Sequence, residues 1–163
     1  HHRMTSAIRA QIDSFLQGFY DLVPAELICV FSPTELELLI CGLPDVNVDD
    51  LKVNTDYHQY KAGDETIVWF WEALEGFNRE ERASFLQFVT GTSKVPLGGF
   101  SNLQGMRGTQ RFSIHKAYGD AGLLPSAHTC FNQLDLPVYA SAEELRDKLL
   151  MAISEGAEGF GFA

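Results

Sequence analysis

The sequence predicts an α+β fold, with helices packed on a small, mostly antiparallel sheet. Apolar residues recur at spacings of three and four near both ends and in the middle of the chain. Ser32, Asn78 and Ser141 each stand three residues before a Glu, the pattern of a helix-capping box, and two short runs after Thr109 and Thr129 alternate polar with apolar residues. With 163 residues, 45% of them hydrophobic, the chain can build one compact domain with a core, or a small domain with an appendage; two large domains are excluded.

Taken in order, Ile8, Ile12, Phe15, Leu16, Phe19 and Leu22 form one stripe along a helix running from Thr5 to Leu22. Pro24 opens a second short helix through Ala25, Leu27 and Ile28. Ser32-Pro33-Thr34-Glu35 caps a third helix that reaches Cys41, and Gly42 is placed to end it. Cys29 and Cys41 fall on apolar faces and are expected to fill the core, as free cysteines commonly do. Gly42-Leu43-Pro44-Asp45-Val46-Asn47 joins a permissive residue to a rigid one and a polar stretch; it reads as a helix-to-helix turn or as a linker.

Asn47 caps a short helix at Val48-Asp49-Asp50-Leu51, and Tyr57 to Gly63 reads as a loop. Ile67, Phe70, Trp71 and Leu74 make one face of a helix from Glu65 to Glu75, with Trp69 on its other side; aromatics at this density are core. Asn78 opens a helix through Phe85, Leu86 and Val89, closed by Gly91. Gly91-Thr92-Ser93-Lys94 lacks the frame of a phosphate loop and follows a helix instead of a strand, so nucleotide binding is rejected. Pro96 to Gly108 reads as loops. A strand follows with Phe112 and Ile114 inward and Arg111, Ser113 and His115 solvated, then a polar loop from Lys116 to Gly122. Thr129 to Leu136 reads as a short strand ending at Pro137, which puts Cys130 where a loop becomes a strand, held rigidly yet within reach of a partner. Leu145, Leu149, Ala152 and Ile153 define a last amphipathic helix, and the Gly-rich residues from Gly156 are expected to be flexible.

A net charge of −10 with twelve scattered Lys and Arg argues against nucleic-acid binding, which needs clustered cations. No apolar run approaches a membrane span, and no signal peptide is recognisable. Three cysteines without a C-x-x-C spacing fit a reducing compartment and neither a disulfide framework nor a structural zinc site. His128, Cys130 and His115 lack a fourth ligand at a plausible spacing, so neither a metal nor another cofactor is expected. These features describe a soluble protein of the cytoplasm or nucleus. His1-His2-Arg3 reads equally as the end of a purification tag or as native sequence.

The stretch around which the chain is organised is Leu123-Leu124-Pro125-Ser126-Ala127-His128-Thr129-Cys130-Phe131-Asn132-Gln133-Leu134-Asp135-Leu136-Pro137. Chemistry alone leaves Cys130 two roles, an acyl-accepting nucleophile or a buried small hydrophobe. The string resembles the active-site signature of HECT-type ubiquitin ligases, L-P-x-[AS]-H-T-C-F-N followed by L-x-L-P. Leu86 to Pro96 is similar to the family's L-Q-F-x-T-G-T segment, Glu35 to Gly42 to its E-L-E-L-L-I-x-G segment, and Gly159-Phe160-Gly161-Phe162-Ala163 to its G-F-G tail. The resemblance covers essentially the whole chain, and the wording is most similar to the very large HECT ligases of the Mule kind and their plant and fungal relatives.

The resemblance implies a division into residues 1–41, the last helices of a HECT N-lobe, an interlobe hinge at 42–47 built on Gly42, Leu43 and Pro44, and a C-lobe over 48–163. It implies that Cys130 accepts ubiquitin from a ubiquitin-conjugating enzyme as a thioester and passes it to a lysine of a protein substrate. The main docking surface for the conjugating enzyme belongs to the missing part of the N-lobe, so the chain alone should load slowly. His128, two positions before the thiol, either activates it from the same side of an extended chain or packs the loop. Thr129 and Asn132 either position the thioester or hold the loop. Phe160, fourth from the end, matches an aromatic the family uses in the final transfer. Two rival functions stay open: a non-catalytic ubiquitin- or substrate-binding module, and a cysteine hydrolase acting on ubiquitin.

Overall fold

A computed structural model of the chain describes residues 8–119 and 122–159, with side chains described as far as 156. It divides into two units, one ending at Ile40 and the other beginning at Cys41. The expectation at Phe160, and those at the first residues, lie outside the described residues.

The first unit consists of helices α1 (Arg9–Leu22), α2 (Ala25–Ile28) and the greater part of α3 (Pro33–Cys41). Their local chemistry is as the sequence predicts: the Ser32 amide donates to Glu35 Oε2 (2.8 Å) while Ser32 Oγ accepts from the Glu35 amide (3.3 Å), the reciprocal cap of α3. No residue of the three helices is buried. Three short helices cannot bury their own apolar stripes. Cys29 and Cys41, expected in a core, are both exposed for that reason.

The second unit is built on a four-stranded sheet of β1 (Thr55–His58), β4 (Phe112–Lys116), β6 (Gln133–Leu136) and β5 (Ser126–His128), in that spatial order. It confirms the α+β class and corrects the sheet. β1 and β6 both run parallel to β4, only β5 is antiparallel to β6, and the sheet is therefore mixed and not mostly antiparallel. A parallel neighbour needs a crossover, and helices α5 (Glu65–Gly76) and α6 (Arg79–Thr90) supply it between β1 and β4. Residues read as loop at Tyr57 and His58 are strand β1: Thr55 and Tyr57 turn to the core side while Asp56 and His58 are exposed. A second, two-stranded hairpin of β2 (Gln104–Gly105) and β3 (Gly108–Thr109) lies in the stretch read as loops. Strands of two residues are too short to leave a periodic signal.

The core fills one face of the sheet. Phe112, Ile114, Leu134 and Leu136 have no exposed surface and join Phe70, Trp71 and Leu74 of α5, Phe85, Leu86 and Val89 of α6, and Leu145, Leu149 and Ile153 of α7 (Ala142–Gly159). The Phe85 ring bridges the layers, meeting Phe112 edge to face at 6.0 Å and Phe70 at 5.8 Å. Asn47 caps the short helix α4 (Val48–Val53), Asn78 caps α6 in a full capping box, and Gly91 ends α6 at φ 79°, as predicted. Helix α7 continues through Gly156 to Gly159, where flexible chain was expected. Gly156 has a packing reason: a Cβ there would come within 2.7 Å of the Phe88 ring on α6.

Candidate active site

Strands β5 and β6 are joined by a turn of 3-10 helix, Thr129–Phe131, and by Asn132. Asn132 takes a left-handed conformation, φ 48° and ψ 43°, which Asn tolerates better than most residues because its short polar side chain bonds locally. The expected strand from Thr129 to Leu136 is thus shorter, Gln133 to Leu136, and Cys130 sits within the turn with its side chain exposed. Pro125 and Pro137, on either side, are buried, and the Tyr139 hydroxyl donates to the Leu123 carbonyl at 2.8 Å. Burial raises the Tyr139 phenol far above its ordinary value, so it remains a donor. The cysteine therefore projects from a turn whose two ends are anchored in the core.

The turn is also held from beneath and beside. Asn132 is fully buried, and its amide donates to the Gln104 carbonyl (3.0 Å) and the Gln110 carbonyl (2.9 Å), the two ends of the β2–β3 hairpin. The Met106 amide at the hairpin tip donates to the carbonyl of Cys130 itself (2.9 Å), and the Ser113 amide to that of Asn132 (3.0 Å). Thr129, half-buried, lies beside the end of α6: its Cβ is 3.7 Å from where a Cβ on Gly91 would stand.

His128 ends β5 on the polar side of the sheet. The extended-chain argument that would put its ring on the side of the thiol does not apply, because the backbone coils between them. Its Nε2 lies 3.0 Å from Oδ2 of Asp135, a half-buried residue of β6 whose other oxygen accepts from Gln133 Nε2 at 2.6 Å. Asp135 was not among the candidates read from sequence; the signal was its place opposite Leu134 and Leu136 in a strand-period alternation. Across the sheet, Asp135 pairs with His115 of β4, which pairs with His58 of β1. The His58 and His115 ring centroids lie 4.2 Å apart, with the ring planes tilted by 31°. His115, expected to be solvated, is partly buried, and burial followed by the neighbouring His58 holds its imidazole below the ordinary histidine value. No group of three or more metal-ligating side chains converges among the described residues.

At the other sequence-predicted region, Gly42 has φ 84°, and a Cβ there would collide with the Val95 carbonyl. Leu43 exchanges two backbone hydrogen bonds with Val95 (2.7 and 3.0 Å), and Pro44 is half-buried beyond it.

Residues 1–163 match the family described as HECT-domain (ubiquitin-transferase). The chain belongs to the HECT family. Among HECT relatives it is 61% identical over 162 residues to the E3 ubiquitin-protein ligase UPL1 of Arabidopsis thaliana, 59% over 161 residues to the E3 ubiquitin-protein ligase HUWE1 of Mus musculus, and 54% over 162 residues to the E3 ubiquitin-protein ligase TOM1 of Saccharomyces cerevisiae. Each alignment covers 99% of this chain and only 4 to 5% of the relative. The described residues of this HECT chain include no helix long and apolar enough to cross a membrane.

Proposed function

We propose that this chain is the cysteine-bearing lobe of a HECT-type ubiquitin transferase, residues 48–163, preceded by a hinge at 42–47 and by the last helices of the other lobe. The observation that carries this is an exposed thiol, Cys130, on a rigid turn in a chain whose whole length matches the HECT family. In the first step Cys130 Sγ attacks the thioester carbonyl carbon at the carboxyl terminus of ubiquitin, and the conjugating enzyme's sulfur leaves as a thiolate. In the second, a substrate lysine amine attacks the Cys130 thioester, the C–N bond forms, and the C–S bond breaks with its electron pair on Sγ. His128 assists the proton transfers, Thr129 borders the reacting sulfur, and Asn132 acts through the turn, its amide protons being engaged by Gln104 and Gln110. Phe160 serves the final transfer, as the family resemblance implies. Leu43 is tied to Val95, so bending between the lobes concentrates at Gly42. Free, exposed cysteines support a reducing setting in the cytoplasm or nucleus.

The test is a charging assay with ubiquitin-loaded conjugating enzyme. The chain should acquire a ubiquitin adduct cleaved by reducing agent, Cys130→Ala should acquire none, and Cys130→Ser should form an ester stable to reduction. Release of free ubiquitin without an adduct would indicate a hydrolase. Binding without either product would indicate a non-catalytic module.

A further inference from the structure

We propose that Asp135 is a positioning residue for the transfer step, acting through His128. The inference rests on the transferase reading above and goes beyond it by naming a residue and the way it acts. A carboxylate only accepts hydrogen bonds, so the 3.0 Å contact fixes a proton on His128 Nε2 and leaves Nδ1 as the nitrogen that can take one up. Two features hold Asp135 in place for that purpose. Gln133 Nε2 donates to Oδ1 at 2.6 Å, leaving Oδ2 for the imidazole, and the flanking Leu134 and Leu136 are fully buried. The backbone does the same for His128, which is paired to Gln133 in the register of β5 and β6. His115 stands opposite Asp135 on β4, and His58 one strand further on β1, so the carboxylate and three imidazoles share the polar side of the sheet, with His128 alone of the three in hydrogen-bond contact with Asp135.

The reason such a pair is useful lies in the acceptor. A lysine side chain near neutral pH is almost entirely ammonium and cannot attack until it loses a proton. His128 Nδ1 takes that proton. The freed amine then forms the C–N bond, the C–S bond breaks with its pair on Cys130 Sγ, and the second nitrogen proton, released as the amide forms, neutralises the thiolate or passes to water. The imidazolium returns its proton to solvent. Asp135 touches neither sulfur nor lysine; it fixes the ring's tautomer and orientation and stabilises the cation formed.

The experiment uses the 163-residue chain charged on Cys130 from a small-molecule ubiquitin thioester, which removes any need for the conjugating enzyme's docking site. Discharge is timed against free lysine and, separately, against hydroxylamine, an amine already deprotonated at neutral pH and needing no base. Asp135→Asn should lower the ratio of the lysine rate to the hydroxylamine rate at least about tenfold. In a His128→Ala background the same change should have no further effect on that ratio, since Asp135 acts only through the imidazole. An unchanged ratio, equal slowing with both nucleophiles, or an undiminished effect of Asp135→Asn in the His128→Ala chain would each overturn the positioning role. Failure of the unaltered chain to form a Cys130 adduct would overturn the transferase reading itself, a different and earlier result.

Discussion

On the helix-covered face of the sheet, Phe112, Ile114, Leu134 and Leu136 have no exposed surface, whereas on the opposite face the same strands carry Ser113, His115, Gln133 and Asp135, each partly exposed. Strand periodicity of two sends alternate residues to different solvents, so a single stretch such as Gln133 to Leu136 builds core with one set and a polar surface with the other. The faces differ in tolerance as well. A change on the apolar face acts on the whole domain, while a change on the polar face acts on neighbours within one or two strands.

The largest effect should come from the covered face. Phe112→Ala removes a ring in contact with Phe85 from a site without exposed surface and should cost about 4 kcal/mol, read by urea unfolding. An undiminished unfolding free energy would mean that the helices do not depend on this face. Next is the residue that belongs to both regions. Asn132→Ala deprives the Gln104 and Gln110 carbonyls of their shared donor and should cost about 2 kcal/mol. It should also raise hydrogen exchange at the Met106 amide, which is bonded to the Cys130 carbonyl, while the amides of α7 keep their protection. The smallest effect is electrostatic and lies on the open face. His115 has its folded-state value lowered, so the unfolded chain binds more protons around and below the ordinary histidine range. Stability should therefore fall as pH drops from neutral through that range. His115→Gln should flatten that part of the profile in thermal unfolding at pH 7 and pH 5, and an unaltered slope would mean that His115 does not contribute to it.

What the sequence made legible was local. The capping boxes at Ser32 and Asn78, the αL glycine closing α6, and the alternation through Phe112 and Ile114 are each written in consecutive residues, and each appears in the structure. The box expected at Ser141 is half formed: Ser141 Oγ accepts from the Glu144 amide, but the Glu144 carboxylate accepts from the Ala140 amide. Strand order was not legible, because nothing in Thr55–His58 states that its partner is Phe112–Lys116, more than fifty residues on, or that the pairing is parallel. At the site, the HECT-like signature drew attention to Cys130 but not to Asp135. The relation of Asp135 to His128 depends on the turn between them: an extended chain would have separated them, and the 3-10 coil at Thr129–Phe131 folds one strand back on the other. The burial of Cys29 and Cys41 was misjudged because a stripe on a helix promises a partner without supplying one.

The close approach at Gly156 has a mechanical corollary. With the Phe88 ring filling the space that a side chain would need, α7 can neither slide by a residue nor roll about its axis without driving a bulkier group into α6. The glycine works as an index mark between two shafts: it sets the azimuth of the last helix, and with it the direction in which that helix points at Gly159.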